Sequence, residues 1–146
     1  MKIVIAVDDS PHSERALHFV CRLAWPAGSR VLVVSAWQPL LDPLMPAYEP
    51  PIQLAESLDE MRKAHQKLID HAGAQVRAAG LATETRLLQG DPRDALVEFA
   101  RAERADLLVM GSHGRTGFSK LMLGSVSSHV VTHASCSVLV VKQEKS

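Results

Sequence analysis

Residues 106–128 read DLLVMGSHGRTGFSKLMLGSVSS, and the reading of this stretch decides the fold. Leu107 to Met110 is an apolar run that stops at Gly111, the pattern of a buried strand. Gly114 and Gly117 follow at three-residue intervals in a polar loop with Ser112, His113, Arg115 and Thr116. A second signal, Gly124-Ser125, comes after Leu121 to Leu123, and Val126, Val130 and Val131 then recur at helical spacing. The order is a strand, a glycine-rich loop and a helix N-terminus. Glycines there are expected to supply positive φ and close approach to a ligand. Free N–H groups and the dipole at a helix start favour an anion such as phosphate. Ser125, Ser127 and Ser128 are expected to add hydroxyl donors.

Outward from this stretch, strand and helix patterns alternate. KIVIAV, from Lys2 to Val7, is rich in β-branched residues and reads as a strand buried on both faces. Ser10 is placed to cap a helix whose first residue is Pro11, with Ala16, Leu17, Val20, Leu23 and Ala24 on one face and Pro26 and Gly28 as its stop. VLVVSAW, inside Arg30 to Trp37, is a second buried strand. From Gln38 to Pro51 the proline density excludes regular structure, and the length suggests a lid, a partner surface or an insert. A long helix is expected from Gln53 to Ala79, striped by Leu54, Leu58, Met61, Leu68, Ala72, Val76 and Ala79 and ended by Gly80. Leu81 to Leu88 alternates in part and reads as a half-solvated edge strand. Asp91 and Pro92 open a helix with Ala95, Leu96, Phe99 and Ala100 inward, and Ser137 to Val141 is a last short strand.

Repeated strand–helix alternation implies an α/β fold with a five-stranded parallel sheet, right-handed crossovers and helices on both faces. Strands one, two and four read as interior, which the order 3-2-1-4-5 satisfies. The order then reverses between the ends of strands one and four, where such sheets bind ligands, and the glycine loop falls there.

Composition narrows the function classes. The 146 residues are expected to form one domain, 1–146, and 47% of them are hydrophobic, enough for a sizeable core. Sixteen basic and sixteen acidic residues balance, so no nucleic-acid surface is expected. Cys21 and Cys136 make neither a disulfide framework nor a metal spacing. No signal-peptide pattern and no membrane-length apolar run occurs, so a soluble cytoplasmic protein is expected.

The loop contains neither Gly-Lys-Ser/Thr nor Gly-x-Gly-x-x-Gly, which sets aside the commonest phosphate loops. Its spacing, Gly111-x2-Gly114-x9-Gly124-Ser125, resembles the ATP-binding signature of the universal stress protein family. KIVIAVDDS is similar to that family's first strand and turn. The resemblance implies a Rossmann-like fold of the adenine nucleotide alpha hydrolase type. It implies ATP as ligand, with Mg2+ or Mn2+, and a homodimer. It assigns Asp8 and the backbone of Ala6 and Val7 to the adenosine pocket, and the backbone of Ala36 to adenine. To the phosphate and ribose loop it assigns Met110, Gly111, Gly114, Arg115, Gly124, Ser125, Val126 and Ser127. The departure is Asp9, where many members have Gly; Asp tolerates the left-handed region, so the turn is expected to survive.

Other features have plainer readings. His129 and His133 stand four residues apart but lack the metalloprotease glutamate, and a solvated helix face is the better account. His113 is expected to shape its turn rather than contact phosphate. Trp37 either stacks on adenine or packs beneath the proline-rich segment. The leading expectation is a nucleotide-responsive stress-response switch or partner-binding module whose downstream partner the sequence does not name. The alternatives are a slow ATPase or self-phosphorylating protein and a nucleotide-free dimer. The C-terminal strand, apolar on both faces yet at an edge, is the expected dimer contact.

Overall fold

The computed structural model describes residues 1–39, 52–114 and 122–143. Five strands, β1 (Lys2–Ala6), β2 (Arg30–Trp37), β3 (Ala82–Gln89), β4 (Leu107–Gly111) and β5 (Ser137–Val141), form one sheet in the order β3-β2-β1-β4-β5. Every pairing is parallel, with Ile5 beside both Val33 and Val109. Four helices connect them: α1 (Pro11–Arg22), α2 (Ile52–Ala78), α3 (Pro92–Ala102) and α4 (Ser125–His133).

Alternation along the central strands sorts the core into two layers. Ile3, Ile5, Val31, Val33 and Val109 pack with Ala16, Leu17 and Val20 of α1 and with Ile69, Ala72 and Val76 of α2. On the other face Val4, Leu32, Val34, Leu108 and Met110 meet Leu96 and Ala100 of α3 and Val130 of α4. Burial on both faces is why the strands read as continuous apolar runs rather than as alternations. Strand β3 has no fully buried residue, as befits an edge.

Local chemistry sets the helix ends. The Ser10 hydroxyl accepts from the Ser13 N–H at 3.2 Å, and the Asp91 carboxylate accepts from the Arg93 N–H at 2.9 Å, each with proline at the first helical position. Gly80, at φ +86°, closes α2: its N–H reaches Arg77 O and the Leu81 N–H reaches Val76 O, which is a Schellman motif. The same pair of bonds ends α3, but the left-handed residue is Arg104 at φ +51°.

Three expectations about helix faces change. Helix α1 stops at Arg22, because Trp25 turns back to donate its Nε1–H to Val20 O at 2.9 Å; Leu23 and Ala24 are left exposed. On α2 only Ala72 and Val76 of the expected stripe are buried; Leu58 and Leu68 are half-buried, Ala79 is exposed, and Leu54 and Met61 are 38% exposed. A helix of 27 residues, roughly 40 Å at 1.5 Å per residue, outruns strands of at most 8 residues. On α4 Val131 points outward. The expected proline-rich segment lies outside the described residues apart from Gln38 and Pro39.

Candidate functional site

Strand β1 runs into a turn whose side chains tie it down. The Asp8 carboxylate accepts from the Ser10 N–H at 2.8 Å, and the Ser13 hydroxyl accepts from the Asp8 N–H at 2.8 Å. The Ser10 hydroxyl points on to His113 O at 3.5 Å, joining this turn to the glycine loop. Asp9 does not adopt positive φ; among the described non-glycine residues only Arg104 does, so the turn never asks the left-handed region of Asp9.

Ser112, just beyond β4, is pinned from two sides. Its N–H donates to Val141 O at 3.0 Å, and its carbonyl accepts from the Gly124 N–H and the Ser127 hydroxyl, both at 2.8 Å. The three described glycines of the loop have ordinary φ, contrary to the expectation of left-handed turns. Their requirement is space. A Cβ on Gly111 would lie 2.6 Å from the His12 carbonyl carbon, so α1 rests directly on this residue. A Cβ on Gly124 would lie 3.2 Å from His113 Cα and 3.3 Å from Ser112 O, and one on Gly114 would lie 3.1 Å from Asp8 Oδ2. Close approach is therefore needed first between parts of the chain itself.

These parts enclose a cavity of about 370 Å³ at the carboxyl ends of the strands. Strand β1 and its turn contribute Ala6, Val7 and Asp8, and β2 contributes Ala36. Strand β4 and the loop contribute Met110, Gly111 and Gly114; the start of α4 contributes Gly124, Ser125, Val126 and Ser127. Arg115, the remaining expected residue, lies outside the described residues. Sequence reading did not place Ser13, Pro92, Leu96 or His113 in the lining. Pro92 and Leu96 had a signal: a right-handed β3–α3–β4 crossover puts the start of α3 at this end of the sheet. Trp37 is buried but does not line the cavity, since alternation turns it to the face of Val33 and Ser35.

The polar character of the cavity comes from α4 and the loop. Gly124 caps α4 and brings no side chain to its first N–H groups, unlike Ser10 on α1 and Asp91 on α3. The Ser127 hydroxyl is turned to Ser112 O and Gly124 O and the Ser128 hydroxyl to Leu123 O, so of the expected hydroxyl donors Ser125 alone has no such carbonyl. His113 Nδ1 lies 3.0 Å from the Ser112 hydroxyl, while its Nε2 is buried with no partner. A buried polar atom left unpaired costs about 1–3 kcal/mol, so it calls for an explanation.

Outside the cavity, His129 and His133 stack at 4.1 Å, and His129 Nε2 pairs with Asp94 at 3.2 Å. No group of three metal-ligating side chains occurs among the described residues. Burial raises both thiols, Cys21 and Cys136, away from the reactive thiolate. No helix among the described residues is long and apolar enough to cross a membrane.

The universal stress protein family model matches residues 1–142. Universal stress protein MJ0531 of Methanocaldococcus jannaschii is 39% identical over 92 residues, 63% of this chain; the match spans half the length of that relative. A universal stress protein of Thermus aquaticus is 36% identical over 141 residues, 96% of this chain and 97% of the relative. Among solved structures, MJ0577 superposes with a TM-score of 0.81 at 24% identity, covering 99% of this chain and 97% of that one. A universal stress protein in complex with cAMP superposes with a TM-score of 0.71 at 26% identity, covering 97% and 96%. With this sheet order and a family match running from the first strand to the last, the chain belongs to the universal stress protein family.

Proposed function

We propose that this chain is a nucleotide-responsive binding module that takes ATP in the cavity at the strand ends. The observation that carries the reading is the uncapped start of α4, which borders the cavity and offers N–H groups and a positive dipole end. The cavity volume falls within the range of about 300–1,000 Å³ usual for small-ligand sites. The apolar part, Ala6, Ala36, Met110 and Leu96, suits a base and ribose, and the loop with Ser125 suits phosphates. That a relative of the same fold was solved with cAMP supports an adenine nucleotide.

A divalent cation fits as a companion of the phosphates. Mg2+ held largely by phosphate oxygens and water needs only one or two carboxylates, and Asp8 is the carboxylate bordering the cavity. The ion would neutralise phosphate charge beside Asp8. Asp8 Oδ1 is engaged by the Ser10 N–H, so that oxygen orients the turn rather than serving as a free base, which favours binding over turnover.

The module is proposed to act in the cytoplasm as a homodimer through β5, whose residues Val138 to Val141 are half-buried and, among the described residues, paired only with β4. Titration calorimetry of ATP into the wild type and Ser125→Ala tests the ligand. Ser125→Ala should keep a native circular dichroism spectrum and lose roughly ten- to a hundredfold in affinity, the value of a hydrogen bond to a charged group. A wild type that releases no heat with ATP, and that carries no nucleotide after purification, overturns the reading.

A further inference from the structure

We infer that His113 is the proton-linked contact of this cavity: an anionic phosphoryl oxygen binds there together with a proton on the His113 ring, relayed through Ser112 to His12. The inference rests on the nucleotide reading above and assigns to it a residue and a pH dependence.

The geometry begins with an unbalanced histidine. Among the described residues His113 Nε2 is the buried side-chain polar atom without a partner. His113 is among the residues that line the cavity. Its other nitrogen, Nδ1, faces the Ser112 hydroxyl at 3.0 Å, and that same hydroxyl faces His12 Nδ1 at 3.4 Å. The two rings stand 5.1 Å apart, tilted by 49°. Ser112 itself cannot move to suit them, because β5 and α4 hold its backbone and it is only 4% exposed.

A serine hydroxyl carries a single proton, so the three groups are coupled. When the hydroxyl donates to His113 Nδ1, the neutral His113 carries its proton on Nε2. When it donates to His12, His113 must donate from Nδ1, and Nε2 becomes a bare acceptor. A protonated His113 resolves the arrangement in one direction. Nδ1–H donates to the Ser112 hydroxyl, the hydroxyl donates to His12 Nδ1, and Nε2–H is left as a charge-assisted donor. Its natural acceptor is an anionic oxygen, and phosphoryl oxygens are strong ones. Nε2 is buried, so the inferred contact requires the ring to tilt about its Nδ1–Ser112 contact toward the cavity that His113 lines.

The charged groups packed around this loop come from few elements. Asp8, whose Oδ2 lies against Gly114, is an acidic group on the β1–α1 turn. Asp9 and Glu14 stand on the same turn and on the first turn of α1, with Arg15 beside them and His12 as relay partner. The first turn of α4 brings no charged side chain, and beyond β5 the next charge is Lys142. Arg115 follows in the chain, outside the described residues. Imidazoles as a class ordinarily change charge between about pH 5 and 8, so pH 6 and pH 8 are the conditions to compare.

The experiment is calorimetry of ATP and of adenosine with wild type and His113→Gln, at pH 6 and pH 8, in buffers of contrasting ionisation enthalpy. ATP titrates on its own account, and the comparison between the two proteins cancels that contribution. The wild type should take up more protons on binding ATP than His113→Gln does. It should also gain roughly tenfold more affinity between pH 8 and pH 6 than the variant gains, the value of a charge-assisted bond replaced by a neutral one. Adenosine should show no such difference. In the intact wild type, nitrogen-15 imidazole spectra should move His113 Nε2 toward the protonated signature when ATP is added and leave it in place with adenosine, a readout that needs no variant. ATP binding with equal proton uptake in both proteins, or an unmoved His113 spectrum, overturns this inference and leaves the nucleotide reading standing. A wild type that binds no ATP overturns both.

Discussion

Gly111→Ala isolates the packing demand beneath the loop. The added methyl would lie 2.6 Å, 2.7 Å and 2.8 Å from the carbonyl carbon, carbonyl oxygen and Cβ of His12. Ordinary carbon contacts sit near 3.5–4.0 Å, so the deficit is about 1 Å against all three. Two of these atoms are backbone in the first turn of α1, so relief requires that turn to lift off β4. Overpacking of this kind costs about 1–3 kcal/mol, and disturbing the Ser10 cap adds about 1 kcal/mol. A loss near 3 kcal/mol should lower Tm by roughly 6–12 °C in a chain of this size. Gly114→Ala is the control, because among the described residues its Cβ would meet only Asp8 Oδ2 at 3.1 Å, a contact that a shift of a few tenths of an ångström relieves. That variant should cost under about 1 kcal/mol, within the range of an ordinary tolerated substitution. Guanidinium unfolding with matched m-values, and scanning calorimetry, measure both. A Gly111→Ala protein within about 0.5 kcal/mol of wild type refutes the argument that α1 rests on this glycine.

Three further outcomes follow from the same geometry. Arg104→Gly should stabilise the fold by up to about 1 kcal/mol in denaturant melts, since it relieves a left-handed residue at the end of α3; unchanged stability would mean the strain is absent. Leu139→Lys or Val141→Lys should raise the monomer fraction in sedimentation if β5 is the dimer edge, and a wild type that stays monomeric at high concentration removes that idea. Hydrogen bonds from the Arg93 side chain, then from its N–H, hold the Asp91 carboxyl below the usual range. Its contribution is therefore present above the unfolded carboxylate value, near 3.9, and lost as pH falls through the lower native one. Asp91→Asn should flatten the acid limb of the stability curve in that window, and an unchanged limb argues that the cap is not coupled to pH.

The fold was legible because its signals are local. Apolar runs such as IVIAV, capping residues such as Ser10 and Asp91, and Gly80 mark element after element, and topology follows from alternation. Where α1 stops was hidden, because the Trp25 ring closes it from outside the helix. The end of α3 was hidden because an arginine occupies a place usually given to glycine. Gly73 inside α2 carried no message either; a Cβ there would lie 2.7 Å from Thr85 Cγ2, a contact between a helix and an edge strand. At the site, the residues clustered in the glycine loop were legible by spacing. Pro92, Leu96 and Ser13 come from other elements and converge only in three dimensions. The expected positive φ is absent from the three described glycines, and the chain itself fills part of the room they leave, since spacing reports that room is needed and not which atoms fill it.

The glycine that opens α4 also bears on how firmly the helix itself is held. Nine residues are fewer than the roughly 12–15 at which an isolated helix becomes even marginal, and here the usual side-chain latch is withheld. Its first turn is held instead by Ser127, whose hydroxyl donates to Ser112 O and Gly124 O. In the proposed function a ligand on the amides of that turn would act as the missing latch, so occupancy would set how firmly the helix is held. Only Ala134, Ser135 and Cys136 separate its last residue from β5. A change in the firmness of α4 would then reach, through a short connection, the rim of the sheet proposed as the dimer edge.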